Sequence, residues 1–376
     1  MTWADAGRVL CVRLDAMGDV LMTTPALRAL RQSGPPGRSI TLLTSPSGAA
    51  VARLVPEVDA ILTYDAPWMK ATAPPTDGAA DRAFVDRLRD LGFDAAAIFT
   101  VYSQNPLPAA LLCHLADIPL RLAHCRENPY HLLTDRAPEV EPEATIRHEA
   151  RRQLDLVATV GATADDERLS LRVPDAARAA VADRLAGLGL DDRTPWAVVH
   201  PGATAPSRRY PPGQFAAAAR LLVEAGFRLV FTGDRSEAGL VEEIRAEVGA
   251  PRLTHSLADG LTLAEFAALV EAAPVLVSNN TGPVHIASAV GTPVVDLYAL
   301  TNVQHTPWLV PHRVLYHNVP CRLCYKSICP MGHHDCLRLV EPAGVADAAV
   351  ALARAGRQAP VPPFAFAGLI EGAVTP

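Results

Sequence analysis

The chain has 376 residues, 49% of them apolar and 20% charged, with a formal net charge of -6. That length suits about two domains of roughly 150 residues each, and the composition excludes a disordered chain. The mild acidity leaves no basic footprint, so no nucleic-acid partner is expected, and no run approaches the ~18 apolar residues of a membrane-spanning helix.

The opening MTWADAGRVLCVRL lacks a basic stretch followed by an apolar one, so it reads as a polar leader entering a strand, not as a signal peptide. The cytoplasm is the expected compartment. Residues 8–14 (RVLCVRL) form a strand, 15–18 a turn and 20–32 a helix. Strands follow at 39–44 and 59–64, an exposed Pro-, Ala- and Thr-rich loop at 67–78, a helix at 81–91 and a strand at 94–101. Residues 147–160 make an amphipathic helix, 161–174 an acidic connection, and 175–188 a further helix.

A second alternation then begins. Strands are predicted at 196–200, 228–232, 275–278 and 293–298, and helices at 212–225, 236–248, 263–272, 283–290 and 343–354. Strands alternating with helices mark parallel sheets covered on both faces, here two doubly wound α/β domains. We set the first domain at 1–172, the second at 173–355 and a Pro- and Ala-rich tail at 356–376, which from Gln358 onward is expected to be poorly ordered. Ligands on such sheets bind beyond the carboxyl ends of the strands, so the loops there are where chemistry belongs.

Four loops carry candidates. The first strand ends in a turn holding Gly18 and Asp19 but no G-x-G-x-x-G, which disfavours a nicotinamide or flavin site. Asp19 is either an acid favoured by the helix dipole or a general base. The loop HPGATAPSRRYP carries Thr204, Arg208 and Arg209, hydroxyl and guanidinium donors suited to phosphate. In TGDRSE, Glu237 could hold ribose hydroxyls or simply start a helix. In SNNTGPVH, Asn280, Thr281, Gly282 and His285 lie where a strand passes into a helix whose N-terminus favours anions. Thr281 could equally be an ordinary helix cap. No D-x-D triplet occurs, so a divalent cation held by paired aspartates is not signalled.

VRLDAMGDVLMTTPALRAL, HPGATAPSRRYPPGQF and SNNTGPVHIASAVGTPVV, in this order, resemble glycosyltransferase family 9, the heptosyltransferases. The resemblance implies a GT-B fold, two Rossmann-like domains facing a cleft, the first for the acceptor and the second for the donor. It implies inverting transfer from a nucleotide-activated heptose, usually ADP-heptose, to a glycan or glycolipid, with peripheral contact at the inner face of the cell membrane. Asp19 falls on the family's catalytic base. Arg13, Gly18, Thr204, Arg208, Arg209, Glu237, Asn280, Thr281, Gly282 and His285 form the implied donor-binding set. Asn280 stands where the family often has Asp, Arg208 replaces Lys, and Tyr210 replaces Trp. A GDP- or UDP-sugar transferase and a non-catalytic nucleotide-sugar binder are the competing readings.

The last candidate is Cys321-x2-Cys324-x4-Cys329-x6-Cys336. Four thiols at this spacing suit one tetrahedral structural metal, with His333 or His334 able to replace a thiol. A related heptosyltransferase branch carries a cysteine-bound iron, so iron stands beside zinc. Two local disulfides or free thiols are the alternatives. We expect this segment to lie away from the sugar chemistry, and no catalytic metal is expected.

Overall fold

A computed structural model describes residues 1–69, 77–191, 194–364 and 366. Most of the predicted loop 67–78 and the tail from 367 lie outside the described residues. The chain divides into two compact units, Met1–Ser170 and Leu171–Gly368.

Unit one holds a six-stranded parallel sheet: β1 (Arg8–Arg13), β2 (Ser39–Thr44), β3 (Ala60–Thr63), β4 (Ala95–Ile98), β5 (Leu120–Cys125) and β6 (Asp135–Pro138). Their order is β3-β2-β1-β4-β5-β6. Unit two repeats the plan with β7 (Trp196–His200), β8 (Arg228–Phe231), β9 (Thr254–Ser256), β10 (Leu276–Asn279), β11 (Val294–Leu297) and β12 (His312–Leu315). Its order, β12-β11-β10-β7-β8-β9, is the same arrangement counted within the unit. This is the doubly wound dinucleotide-fold order, in which the chain reverses its direction of travel between the first and fourth strands. The switch points are therefore β1/β4 and β7/β10, paired in parallel from Val9↔Ala95 and from Val198↔Leu276.

The central strands are buried on both faces, which is why they read as continuous apolar runs without alternation. Each unit has its own core: Leu10, Ile98, Leu112 and Ile118 belong to the first, Phe215, Leu229, Phe231 and Val295 to the second. The strands absent from the sequence reading, β5, β6, β9 and β12, are the sheet edges or next to one. They are three to six residues long and partly polar, as edges that must resist further pairing tend to be. The helices Pro46–Ala52 and Leu107–Leu115 also went unread, being too short to display a period.

The first helix runs Met17–Gln32 and starts three residues earlier than its apolar pattern. The tail is not loose throughout. Arg357 donates to the Val290 carbonyl at 2.7 Å, and fully buried Phe366 packs against Tyr298 and Tyr316.

Candidate active site

β1 delivers Arg13 at its last position, wholly buried. The guanidinium is shared by three carboxylates: Asp15 at 3.0 Å, Asp19 at 3.0 Å and Glu149 at 2.8 Å. Glu149 comes from the helix Glu149–Ala158, which packs on Met17–Gln32, and is itself buried. Arg13, expected among the donor-binding residues, is thus a positioning residue: its N–H groups face inward to carboxylates, not to a ligand. Its consequence is that Asp19, 19% exposed in the first helical turn, is held at the carboxyl end of the sheet. Buried Gly18 precedes it in the same turn. The helix start has no side-chain cap.

Asp15 is the unusual carboxyl here. Burial pushes it up to about 6; Arg13 opposes the rise and Asp19 adds to it. Gln104, from the loop after β4, donates to Asp15 at 2.5 Å and so links the two loops of the switch point. Gln104 also lines a polar cavity of about 190 Å³ with Ser103, Asn105, His124, Arg126 and Glu139. Sequence reasoning missed Asp15, Gln104 and Glu149. The only available signal was that Asp15 lies in the same first turn as Asp19.

In unit two the loops after β7 and β10 are tied by one buried side chain. Asn279 donates to the Pro201 carbonyl at 2.7 Å and accepts the Tyr210 N–H at 3.0 Å. The predicted phosphate loop is thereby fixed at both ends. Within it Thr204 is exposed and Arg208 half-buried, while Arg209 bends back to the Ala203 carbonyl at 2.7 Å. Gly202 lies against the Glu237 carboxylate, which would have to swing aside to admit a Cβ there. Glu237 accepts the Asp234 N–H at 3.0 Å and stands 3.7 Å from His200, and its burial raises its pKa. His200 is kept neutral, its pKa lowered by burial to about 4.

Thr281 occupies the position before the helix Gly282–Val290 but makes no capping bond; its hydroxyl donates to the Asn279 carbonyl at 3.3 Å. The capping alternative is therefore excluded, and that helix end keeps its preference for an anion. His285 is buried on the first turn.

Asn280 departs from its expected role as a ligand contact. Its amide nitrogen donates inward, to Asp296 at 3.0 Å and to the His305 carbonyl at 2.8 Å. An aspartate at 280 would set two buried carboxylates against each other, which explains the Asn. Burial drives Asp296 well above the carboxylate range, and Asn280 and the charge of Arg208 pull it back.

The four cysteines of the C-terminal segment line one cavity of about 20 Å³ with His333 and Ser207. None of the seven cysteines is joined in a disulfide. His333 Nδ1 accepts the Asp335 N–H at 2.9 Å, so the neutral ring carries its proton on Nε2, 3.7 Å from the Cys321 sulfur. Among the described residues no three His, Cys, Asp or Glu side chains form a ready-made metal site. The cysteine segment is hydrogen-bonded to the predicted phosphate loop. Ser207, adjacent to Arg208, donates its hydroxyl to the Lys326 carbonyl at 2.8 Å and its N–H to the Ser327 carbonyl at 3.1 Å.

The profile of Glycosyltransferase family 9 (heptosyltransferase) matches residues 82–334, more than half of the chain. Lipooligosaccharide heptosyltransferase 2 of Haemophilus ducreyi is 30% identical over 149 residues, 38% of this chain and 43% of that protein. The chain spans between 32% and 49% of the length of the curated relatives it matches. A glycosyl transferase family 9 structure from Veillonella parvula superposes with a TM-score of 0.74 at 20% identity, covering 94% of this chain and 99% of that one. The Escherichia coli ADP-heptose LPS heptosyltransferase II gives 0.70 at 22% identity, covering 92% and 98%. A more distant likeness, 0.52 at 13% identity over 94% and 78%, is the iron-containing dodecameric glycosyltransferase TibC of enterotoxigenic E. coli. The fold is accordingly GT-B in class.

Folded Asp15 keeps its proton to about pH 6, whereas an unfolded aspartate releases it near ~3.9. Between those values the folded state binds more protons, so this residue's contribution to stability falls as pH rises. An Asp15→Asn variant lacks that loss. Its melting temperature relative to the parent is expected to improve from about pH 4 to about pH 7. A difference that does not change with pH, measured by calorimetry, would contradict the assignment.

Proposed function

The chain belongs to glycosyltransferase family 9, the heptosyltransferases, and on that premise we propose that it transfers a heptose from ADP-heptose to a hydroxyl of a glycan or glycolipid acceptor in lipopolysaccharide assembly, with inversion at the anomeric carbon. The observation that carries this reading is the pair of loops joined by Asn279 in unit two. They bring an arginine, a hydroxyl and an uncapped helix N-terminus to the carboxyl end of one sheet. These are donors for a diphosphate leaving group. The motif for a cation-bridged diphosphate, D-x-D, is absent from the sequence.

The chemistry follows from the groups on each unit. In unit two, Arg208, Thr204 and the backbone at Gly282 meet the negative charge that grows on the diphosphate as the glycosidic bond breaks. Such preorganised donors are usually the largest single catalytic contribution. Glu237, beside Gly202, is set to accept from ribose hydroxyls. In unit one, Asp19 removes the proton from the attacking acceptor hydroxyl, and a single displacement inverts the anomeric centre. Arg13 and Glu149 hold Asp19 in place for that transfer. The polar cavity at Gln104 offers hydrogen-bonding groups to an acceptor sugar. Among the described residues no helix is long and apolar enough to cross a membrane. A glycolipid acceptor would be met peripherally at the inner face of the cell membrane.

The test is a donor screen by mass spectrometry with ADP-heptose, GDP-sugars and UDP-sugars against candidate acceptors. Transfer from ADP-heptose is expected. Transfer from GDP- or UDP-sugars alone would replace the donor, and donor binding without turnover would make the chain a binding protein. Asp19→Asn should lower turnover by ~10²–10⁴-fold, with ADP affinity close to that of the parent by calorimetry. Turnover near the parent's would remove Asp19 as the base.

Arg208→Ala should weaken ADP binding by about 1.5–3 kcal/mol while leaving adenosine binding almost unchanged, since only the charge-assisted contact is lost. Equal losses for the two ligands would contradict a phosphate contact.

We also propose that Cys321, Cys324, Cys329 and Cys336 hold one structural metal ion, zinc or iron. Four soft sulfur donors around one small cavity suit either ion, and His333 Nε2–H is placed to donate to the Cys321 thiolate. That arrangement makes His333 a supporting residue and favours the all-cysteine set. When bound, the ion would cross-link the segment and take no chemical step in the transfer. Elemental analysis of protein purified without metal-affinity steps should find about one ion per chain. Four freely alkylated thiols without metal would exclude it.

A further inference from the structure

The segment that carries the four cysteines touches two loops at the carboxyl end of the unit-two sheet. On one side Leu323 and Tyr325 donate their N–H groups to the Leu300 and Thr301 carbonyls, at 2.7 and 2.8 Å, in the loop after β11. On the other side it accepts both polar groups of Ser207, in the short 3-10 turn Pro206–Arg208. Ser207 is only 3% exposed and lines the same cavity as the four thiols. The next residue is Arg208. Ser207 thus ties the residue before Arg208 to the cysteine segment at two points, in addition to the hold of Asn279 on the loop's ends.

The segment is also held in a conformation it would not keep alone. Leu323, Tyr325 and His334 have φ of 60°, 53° and 55°. Leucine and tyrosine rarely occupy the left-handed region, and they persist there only where their surroundings impose it. These three residues lie between or beside the cysteines. What the thiols do therefore decides whether the carbonyls of Lys326 and Ser327 stay aimed at Ser207.

We propose that the cysteine segment is a clamp on the phosphate loop: through Ser207, the chemical state of the four thiols sets the affinity of unit two for a nucleoside diphosphate. The inference rests on the donor role given to Arg208 above. Ser207 is a positioning residue, acting on the ligand through its neighbour. Drawn together, the thiols keep the segment folded over the loop. Blocked or spread apart, they release Lys326 and Ser327, and Arg208 loses its fixed place. Linkage requires the reverse effect as well, so a bound diphosphate must slow attack on the thiols.

The experiment uses the full chain with ADP as probe, iodoacetamide as thiol reagent, and Ser207→Ala and Ser207→Thr variants. Blocking the thiols of the parent should weaken ADP binding on the order of tenfold by calorimetry. Ser207→Ala should bind ADP as weakly as the blocked parent and lose little more when blocked, whereas Ser207→Thr should recover the parent's behaviour. Mass-spectrometric mapping should show slower alkylation of Cys321, Cys324, Cys329 and Cys336 when ADP is present, an effect absent in Ser207→Ala. Buried Cys11, Cys113 and Cys125 serve as internal controls.

Hydrogen exchange across residues 203–209 should rise after alkylation whether or not any nucleotide is present. That measurement separates the two readings. If ADP fails to bind the parent, the donor assignment falls and exchange alone decides the clamp. Unchanged exchange in 203–209 after blocking overturns the clamp, as does an ADP affinity indifferent to alkylation.

Discussion

A guanidinium with no solvent exposure is the interaction on which unit one is built. Burying such a charge costs several kcal/mol unless its donors are met by carboxylates in good geometry. Arg13 meets three, supplied by the turn after β1, the first turn of the helix Met17–Gln32 and the helix Glu149–Ala158. One side chain thus joins the first element of the unit to one of its last, and in doing so orients Asp19. Removing a single partner would leave buried charge uncompensated. The arrangement accordingly holds the Asp19 carboxylate in one place. The raised pKa of Asp15 comes chiefly from its burial, with Arg13 opposing the rise and the nearby Asp19 and Glu149 adding to it.

Unit two solves the same topological problem without a buried arginine. Its switch point is closed by neutral amides: Asn279 bridges the ends of the phosphate loop, and Asn280 fastens Asp296 and the backbone at His305. Consecutive residues at a strand end point to opposite sides, so the two asparagines can serve different loops. The positive charge is left to Arg208, half-buried on the loop itself. A charge on a restrained loop, unlike one locked into a core, stays available to a ligand. That loop is held by Asn279 at its ends and by the cysteine segment through Ser207.

Much was legible in the sequence because parallel sheets leave a coarse signature. Apolar runs separated by amphipathic stretches revealed the central strands and most helices of both units, and with them the loops where Asp19, Arg208 and Thr281 stand. Edge strands such as β6 and β9 escaped because a short polar strand has neither period nor apolar length. Glu149 and Gln104 escaped for another reason. They lie 136 and 89 residues from their partners Arg13 and Asp15, and no local pattern encodes a meeting at that distance.

Local sequence settles which residue types stand at the strand ends: a carboxylate after β1, arginines after β7, a threonine and glycine after β10, four thiols near the end. That much follows from local rules of turns, helix starts and hydrophobic period. What each residue faces is set by the folded chain. It turned Arg13 and Asn280 from ligand contacts into internal anchors, denied Thr281 its capping bond, and brought the cysteine segment against Ser207. Those outcomes depend on packing between elements far apart in the chain. Burial then selects for each polar atom the partner that satisfies it, and position along the sequence does not specify that choice.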